Sequence, residues 1–144
     1  MSIHLIVPAP FSAISGGYNY DRRMVEGLRA LGQDVRVVEM AGRHPYPDDA
    51  ATAAAQAALA EIPADARIII DGLGLPAFLP LADELKRRAA FALIHHPTAL
   101  EPGAPTSQRE ALRPGLYPVP LRAWLWRAGL RHSQRWSAGA AQGA

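Results

Sequence analysis

The sequence predicts an α/β fold, a Rossmann-like parallel sheet with helices on both faces, followed by an irregular carboxyl-terminal tail. Three observations carry this. Short apolar runs at Ile3–Val7, Val35–Met40, Arg67–Asp71 and Phe91–Ile94 alternate with helical patterns. Most of these runs are apolar at successive positions, as strands covered on both faces are. The connections are short, and no internal repeat or low-complexity linker interrupts them apart from the alanine bias that begins at Ala50.

Each element has its own warrant. Ile3-His-Leu-Ile-Val opens the chain as a strand, and the Ser15-Gly16-Gly17 turn leads into a helix. Met24, Val25, Leu28 and Leu31 recur there at helical spacing, with Asn19 as the candidate cap and Gly32 as the stop. Val35-Arg-Val-Val-Glu-Met40 is β-branched and reads as strand two. The turn-rich Gly42–Pro47 then leads to Asp48 and Asp49, which start an alanine-rich helix reaching about Glu61. Three isoleucines before Asp71 make strand three. Gly72-Leu-Gly-Leu-Pro76 forms the loop before a helix that carries Leu81, Leu85 and Ala89. Strand four, Phe91–Ile94, ends in His95-His96-Pro97. A parallel sheet with these crossovers places the loops after strands one, three and four along one edge, where ligands of open α/β sheets bind.

A chain of 144 residues suits one domain of ordinary size. The absence of cysteine excludes a disulfide framework and any thiolate ligand or nucleophile. The chain enters its first strand without a leader pattern, and no apolar run approaches the roughly 20 residues of a membrane span, so a soluble cytoplasmic protein is expected. Charge divides the chain. Residues 1–103 carry 9 basic and 12 acidic side chains, net −3, whereas residues 104–144 carry 6 arginines and one glutamate, net +5. Trp124, Trp126 and Trp136 all lie in that tail, and residues 102–120 hold five prolines, too many for a helix or central strand. A nucleic-acid partner is not expected, because the basic excess is confined to the tail. A membrane-surface helix there is disfavoured, since apolar residues surround most of the wheel. The expected organisation is an incomplete domain over 1–103 and a disordered or aberrant Pro/Arg/Trp-rich tail over 104–144.

The candidate site follows from the strand ends. Gly16 and Gly17 remove bulk where a ligand phosphate could meet the amides opening the first helix, although a glycine pair also serves a plain turn. The loop from Pro8 to Gly17 is ten residues long and has no G-x-G-x-x-G, which argues against a nicotinamide dinucleotide despite Glu39 at the end of strand two. Tyr18 and Asn19 could reach polar groups of a ligand. Asp71 is lifted out of the core at the end of strand three, beside two glycines. His95 and His96 emerge from strand four on opposite faces, where an imidazole can reach substrate hydroxyls or phosphates. No metal is expected, because two adjacent histidines in an extended chain diverge and only Asp71 offers a third ligand. His4, inside strand one, reads as a core histidine.

The stretches Ser15-Gly-Gly-Tyr-Asn-Tyr-Asp-Arg-Arg-Met through Leu31-Gly32, Asp34-Val-Arg-Val-Val, Ile70-Asp-Gly-Leu73 and Leu93-Ile-His-His-Pro97-Thr-Ala-Leu-Glu101 resemble the amino-terminal half of a family-four, retaining glycosyltransferase of the GT-B fold. The resemblance covers residues 3 to about 101. It implies a domain that presents the sugar acceptor across a cleft from a second, donor-binding domain, with a nucleotide-sugar as substrate and no resident cofactor. It places His95 near the transferred sugar as the active-site histidine, and Gly16 and Gly17 near the donor phosphates. The family's Glu-x7-Glu motif, which belongs to the donor domain, is missing: the glutamates at 26, 39, 61, 84, 101 and 110 never lie eight apart. The expectation is therefore a fragment whose sequence turns aberrant after about Gly103, inactive alone and prone to associate through an exposed apolar edge or helix face of a sheet stopped after four strands. The alternative is a standalone phosphosugar- or nucleotide-binding module whose tail contacts a partner or membrane.

Overall fold

The computed structural model describes residues 1–95, together with the backbone of two later strands. In chain order the elements are β1 (Ile3–Pro8), α1 (Gly16–Ala30), β2 (Val35–Met40), α2 (Asp49–Glu61), β3 (Arg67–Asp71), a 3-10 stretch (Leu75–Leu81), α3 (Ala82–Arg87) and β4 (Phe91–Ile94). The four strands are parallel in the order β2-β1-β3-β4. This is the expected α/β arrangement. The chain passes from β2 to the far side of β1 before laying down β3, so the order reverses between β1 and β3, the place where such sheets open a crevice at their carboxyl edge.

Strand parity sorts the core into two layers. Ile6, Met40, Ile68, Ile70 and Ala92 face α2, the 3-10 stretch and α3. Leu5, Val7 and Leu93 face α1, which returns Tyr18 and Val25. On α2 the buried residues are Ala51, Ala55, Ala58 and Leu59, a stripe of mostly small side chains that lets the helix lie close to the sheet. Asp48 caps that helix by accepting from the Ala51 and Arg43 amides at 2.9 and 3.1 Å, and these bonds hold its carboxyl below the usual range.

Two local expectations are corrected. The cap of α1 is Ser15, not Asn19: Ser15 is extended, its hydroxyl accepts from the Tyr18 amide at 3.0 Å, and the helix begins at Gly16. Asn19 lies inside the helix, exposed, with its carbonyl oxygen taken by Arg22. The helix expected to carry Leu81, Leu85 and Ala89 is α3 alone, a short element. Pro76 and Pro80 lack the amide protons that an α-helix needs, so the preceding turns are 3-10, and Ala89 sits at φ 48 beyond the helix end.

The tail also differs from an irregular segment over part of its length. Arg122–Arg127 forms β5, parallel to β4, and Leu130–Arg135 forms β6, antiparallel to β5. The edge of β4 is therefore paired. Two aromatic residues within six, and a two-residue glycine-containing connection, are strand and hairpin signals that the wheel argument overlooked. His96 and the proline-rich residues 102–120 lie outside the described residues. No helix among the described residues is long and apolar enough to cross a membrane.

Gly42 makes the turn after β2 at φ +91, and a Cβ there would overlap the backbone of Ala51 at the start of α2. Gly42→Ala is expected to cost about 2 kcal/mol or more, read as a lowered urea midpoint. An unchanged midpoint would mean that this turn is not built as described.

Candidate functional site

Three of the elements deliver one cluster. Ile69 packs in the α1-facing layer, so Asp71, two residues along β3, faces α1 as well. Asp71 pairs in register with Leu93 of β4, and His95 stands two residues beyond Leu93 on the same face. From the opposite side α1 supplies Asp21, which shares its buried stripe with Tyr18 and Val25. The three side chains meet: His95 Nε2 lies 2.7 Å from Asp21 Oδ1 and 3.8 Å from Asp71 Oδ2.

Burial makes this meeting consequential. Asp21 is 0% exposed and Asp71 1%, while the His95 side chain keeps 22% of its surface open. Asp71 Oδ1 accepts from the Leu73 amide at 2.9 Å, which fixes the carboxylate in the turn after β3. Asp21 Oδ2 is sealed from solvent and has no hydrogen-bond partner among the described residues, so among them the imidazole carries most of the burden of neutralising this acid. Burial raises the Asp71 carboxyl to about 6, and the neighbouring Asp21 adds to the rise against the Leu73 bond. For His95 burial works against the charged ring, but the Asp21 hydrogen bond and the charges of Asp21 and Asp71 outweigh it, and its pKa is raised. Tyr20 packs edge-on against the ring at a centroid distance of 5.3 Å.

The glycines of the α1 start divide in role. A Cβ on Gly16 would meet nothing within 4 Å, leaving the helix opening clear on that side. A Cβ on Gly17 would come within 3.0 Å of His95 Cδ2. The space at Gly17 is thus already filled by the imidazole, which gives that glycine a role as seat of the ring. Tyr18 is buried, its hydroxyl donates to the Pro8 carbonyl at 2.7 Å, and burial followed by the charges of Asp71, Asp21 and Glu39 pushes the phenol up to about 12. It stays neutral and structural while lining a neighbouring cleft.

That cleft, of about 630 Å3, opens beside the cluster at the carboxyl ends of β1 and β2. Pro8, Tyr18, Arg43, His44, Tyr46 and Leu73 are among its walls, and His95 is not. Glu39, exposed at the end of β2, ties down the long loop by accepting from the Phe11 amide at 2.8 Å through one carboxylate oxygen. His4 is buried in β1 with Nε2 3.1 Å from the Ser2 hydroxyl, and its pKa is lowered by burial first, in keeping with a core histidine.

Gly17, Asp71 and His95, singled out from the sequence, are therefore brought together. Gly16 and Tyr18 stand close by, Asn19 faces solvent, and His96 lies outside the described residues. The residue that sequence reasoning missed is Asp21, whose signal was an acid on the apolar stripe of α1, three residues after Tyr18 and four before Val25. Donor atoms of Asp21, Asp71 and His95 lie within 4.8 Å of one another. The 2.7 Å Nε2–Oδ1 contact is shorter than the roughly 3 Å between ligand atoms held 2.0–2.2 Å from one ion, and has the length of a charge-assisted hydrogen bond. Comparison with protein-family models, curated proteins and solved structures found no match for the chain.

Two outcomes are expected. Between about pH 4 and 6 the folded Asp71 holds a proton that the unfolded chain releases, so stability falls as pH rises through that window; the His95 contribution is complete below 6.5 and is lost at higher pH. Asp71→Asn keeps an acceptor for Leu73 and removes the buried charge. It should raise stability above pH 6 by about 1–3 kcal/mol and flatten the fall between pH 4 and 6 in denaturation curves. A loss of stability at pH 8 would contradict this. Gly17→Ala should displace the His95 ring resonances, whereas Gly16→Ala should leave them in place and gain up to about 1 kcal/mol of helix stability; identical spectra for both variants would refute the seat assigned to Gly17.

Proposed function

We propose that the chain is the acceptor-side domain of a glycosyltransferase that uses a nucleotide-sugar donor, of Rossmann-like, GT-B-half architecture, and that His95 contacts the transferred sugar. The observation that carries this reading is the placement of His95: an imidazole at the carboxyl end of β4, partly open, seated on Gly17 at the start of α1 and held by a buried carboxylate. A fixed polar group at that edge suits recognition of sugar hydroxyls or phosphate oxygens. In the reaction the bond from the sugar's anomeric carbon to the diphosphate breaks, a bond to the acceptor hydroxyl forms, the hydroxyl proton departs and nucleoside diphosphate is released. The cations that offset the departing diphosphate would come from a second, donor-binding domain, so the chain alone should bind ligand weakly and transfer little or no sugar.

A second reading has one observation in its favour. The cleft beside the cluster has Arg43, His44 and Tyr46 among its described walls, which suits a self-contained phosphosugar- or nucleotide-binding module.

NMR titration of the full chain with UDP-glucose, GDP-mannose and their free nucleotides separates the two. The glycosyltransferase reading expects sugar nucleotides to shift His95, and His95→Ala to weaken them about tenfold while leaving the free nucleotide unchanged, the loss of about one good hydrogen bond. Shifts confined to Arg43, His44 and Tyr46, indifferent to His95→Ala, would favour the binding module. Sugar transfer by the chain alone would overturn the half-enzyme account.

A further inference from the structure

The ring of His95 has two nitrogens, and the structure commits one of them. Nε2 lies 2.7 Å from Asp21 Oδ1, on a carboxylate that is fully buried in the α1 stripe. A carboxylate in that position accepts a proton and cannot donate one, so Nε2 bears hydrogen in both charge states of the ring. Nδ1 makes no hydrogen bond with the described residues and is not among their sealed polar atoms. The exposed share of the side chain is 22%, so one edge of the ring remains available to a ligand.

We infer that Asp21 is a positioning residue for His95: by accepting a hydrogen bond from Nε2 it fixes the tautomer and makes Nδ1 the ligand-facing nitrogen, an acceptor for a sugar hydroxyl when the ring is neutral and a donor to an oxygen of a bound sugar or phosphate when the ring is charged. The ligand half of this inference rests on the proposed function, and the clamp half stands on the geometry alone. Among the described residues the groups facing the ring are Asp21 and Tyr20 from α1 and Asp71 from β3, with Gly17 beneath it. Two acids and no base among them favour the imidazolium, which carries a proton on each nitrogen. Asp71, at 3.8 Å, supplies charge without a direct bond and so sets protonation more than orientation. In its charged form such a ring offers a fixed donor and positive charge to developing negative charge. Asp21 touches no ligand in this arrangement. Its effect on binding passes through the imidazole.

Two-bond proton–nitrogen NMR spectra of histidine-labelled full-length chain, recorded from pH 5 to 9, test this directly. In the wild type the neutral His95 ring should carry its proton on Nε2, and UDP-glucose added at pH 6 should move Nδ1 more than Nε2. In Asp21→Asn, which keeps size and an acceptor oxygen but loses charge, His95 should titrate at lower pH, and UDP-glucose affinity at pH 7 should fall about tenfold, the weight of one charge-assisted hydrogen bond. That deficit should shrink as the pH falls and the variant ring gains its second proton as well. A purely structural Asp21 would change stability and leave the titration and the pH profile alone. A neutral wild-type ring with its proton on Nδ1, or a His95 titration untouched by Asp21→Asn, would overturn the clamp. The wild-type tautomer decides the matter even where the variant does not fold. A ring with the expected tautomer that UDP-glucose leaves unmoved would overturn the ligand half and the proposed function while the clamp stood.

Discussion

Two carboxylates buried within reach of one imidazole form the constraint around which the carboxyl edge of this domain is arranged. Asp21 and Asp71 are almost fully withdrawn from water, and among the described residues the cationic partner that reaches them is His95. Burying an unpaired carboxylate costs several kcal/mol, so the ring cannot be lost without consequence for the α1–β3–β4 junction. This also explains why the cluster is held so tightly. Gly17 gives up its side chain to seat the ring, Leu73 fixes Asp71 through its amide, and Asp21 is buried on the α1 stripe.

The sheet makes the meeting possible. Parallel pairing of β3 with β4 sets Asp71 opposite Leu93, and the two-residue period of a strand then turns His95 to the same side. A slip of one residue would send His95 into the α2 layer, away from both acids. Register, burial and charge therefore constrain one another, and the same edge that holds the cluster opens the cleft walled by Tyr18, Arg43 and Tyr46.

Much of the fold was legible because its signals are local. The four apolar runs fix β1 to β4 closely, and Asp48 announces α2. What was lost required spatial information. Ser15 and Asn19 are both good caps in sequence, and only the backbone shows that Ser15 holds the Tyr18 amide. Pro76 and Pro80 marked the weakened helix before α3, but apolar spacing through Leu81, Leu85 and Ala89 masked it. In the tail, composition drew attention from the short aromatic alternation that forms β5. Of the site, Asp71 and His95 were legible as strand-end residues and Gly17 as a helix-start glycine. Asp21 was not, because an acid in the middle of an amphipathic helix reads as solvated unless the partner across the sheet, 74 residues away in sequence, is known to arrive beside it.

The central claim, that Asp21 and His95 act as one electrostatic unit, is tested most directly by a double-mutant cycle on stability with Asp21→Asn, His95→Gln and the double variant. The unfolding free energies should show a coupling of about 1.5–3 kcal/mol at pH 6, the range of a hydrogen bond between charged partners, and a smaller coupling at pH 9. Additive single effects at pH 6 would show that the two side chains are merely neighbours, and would contradict the account.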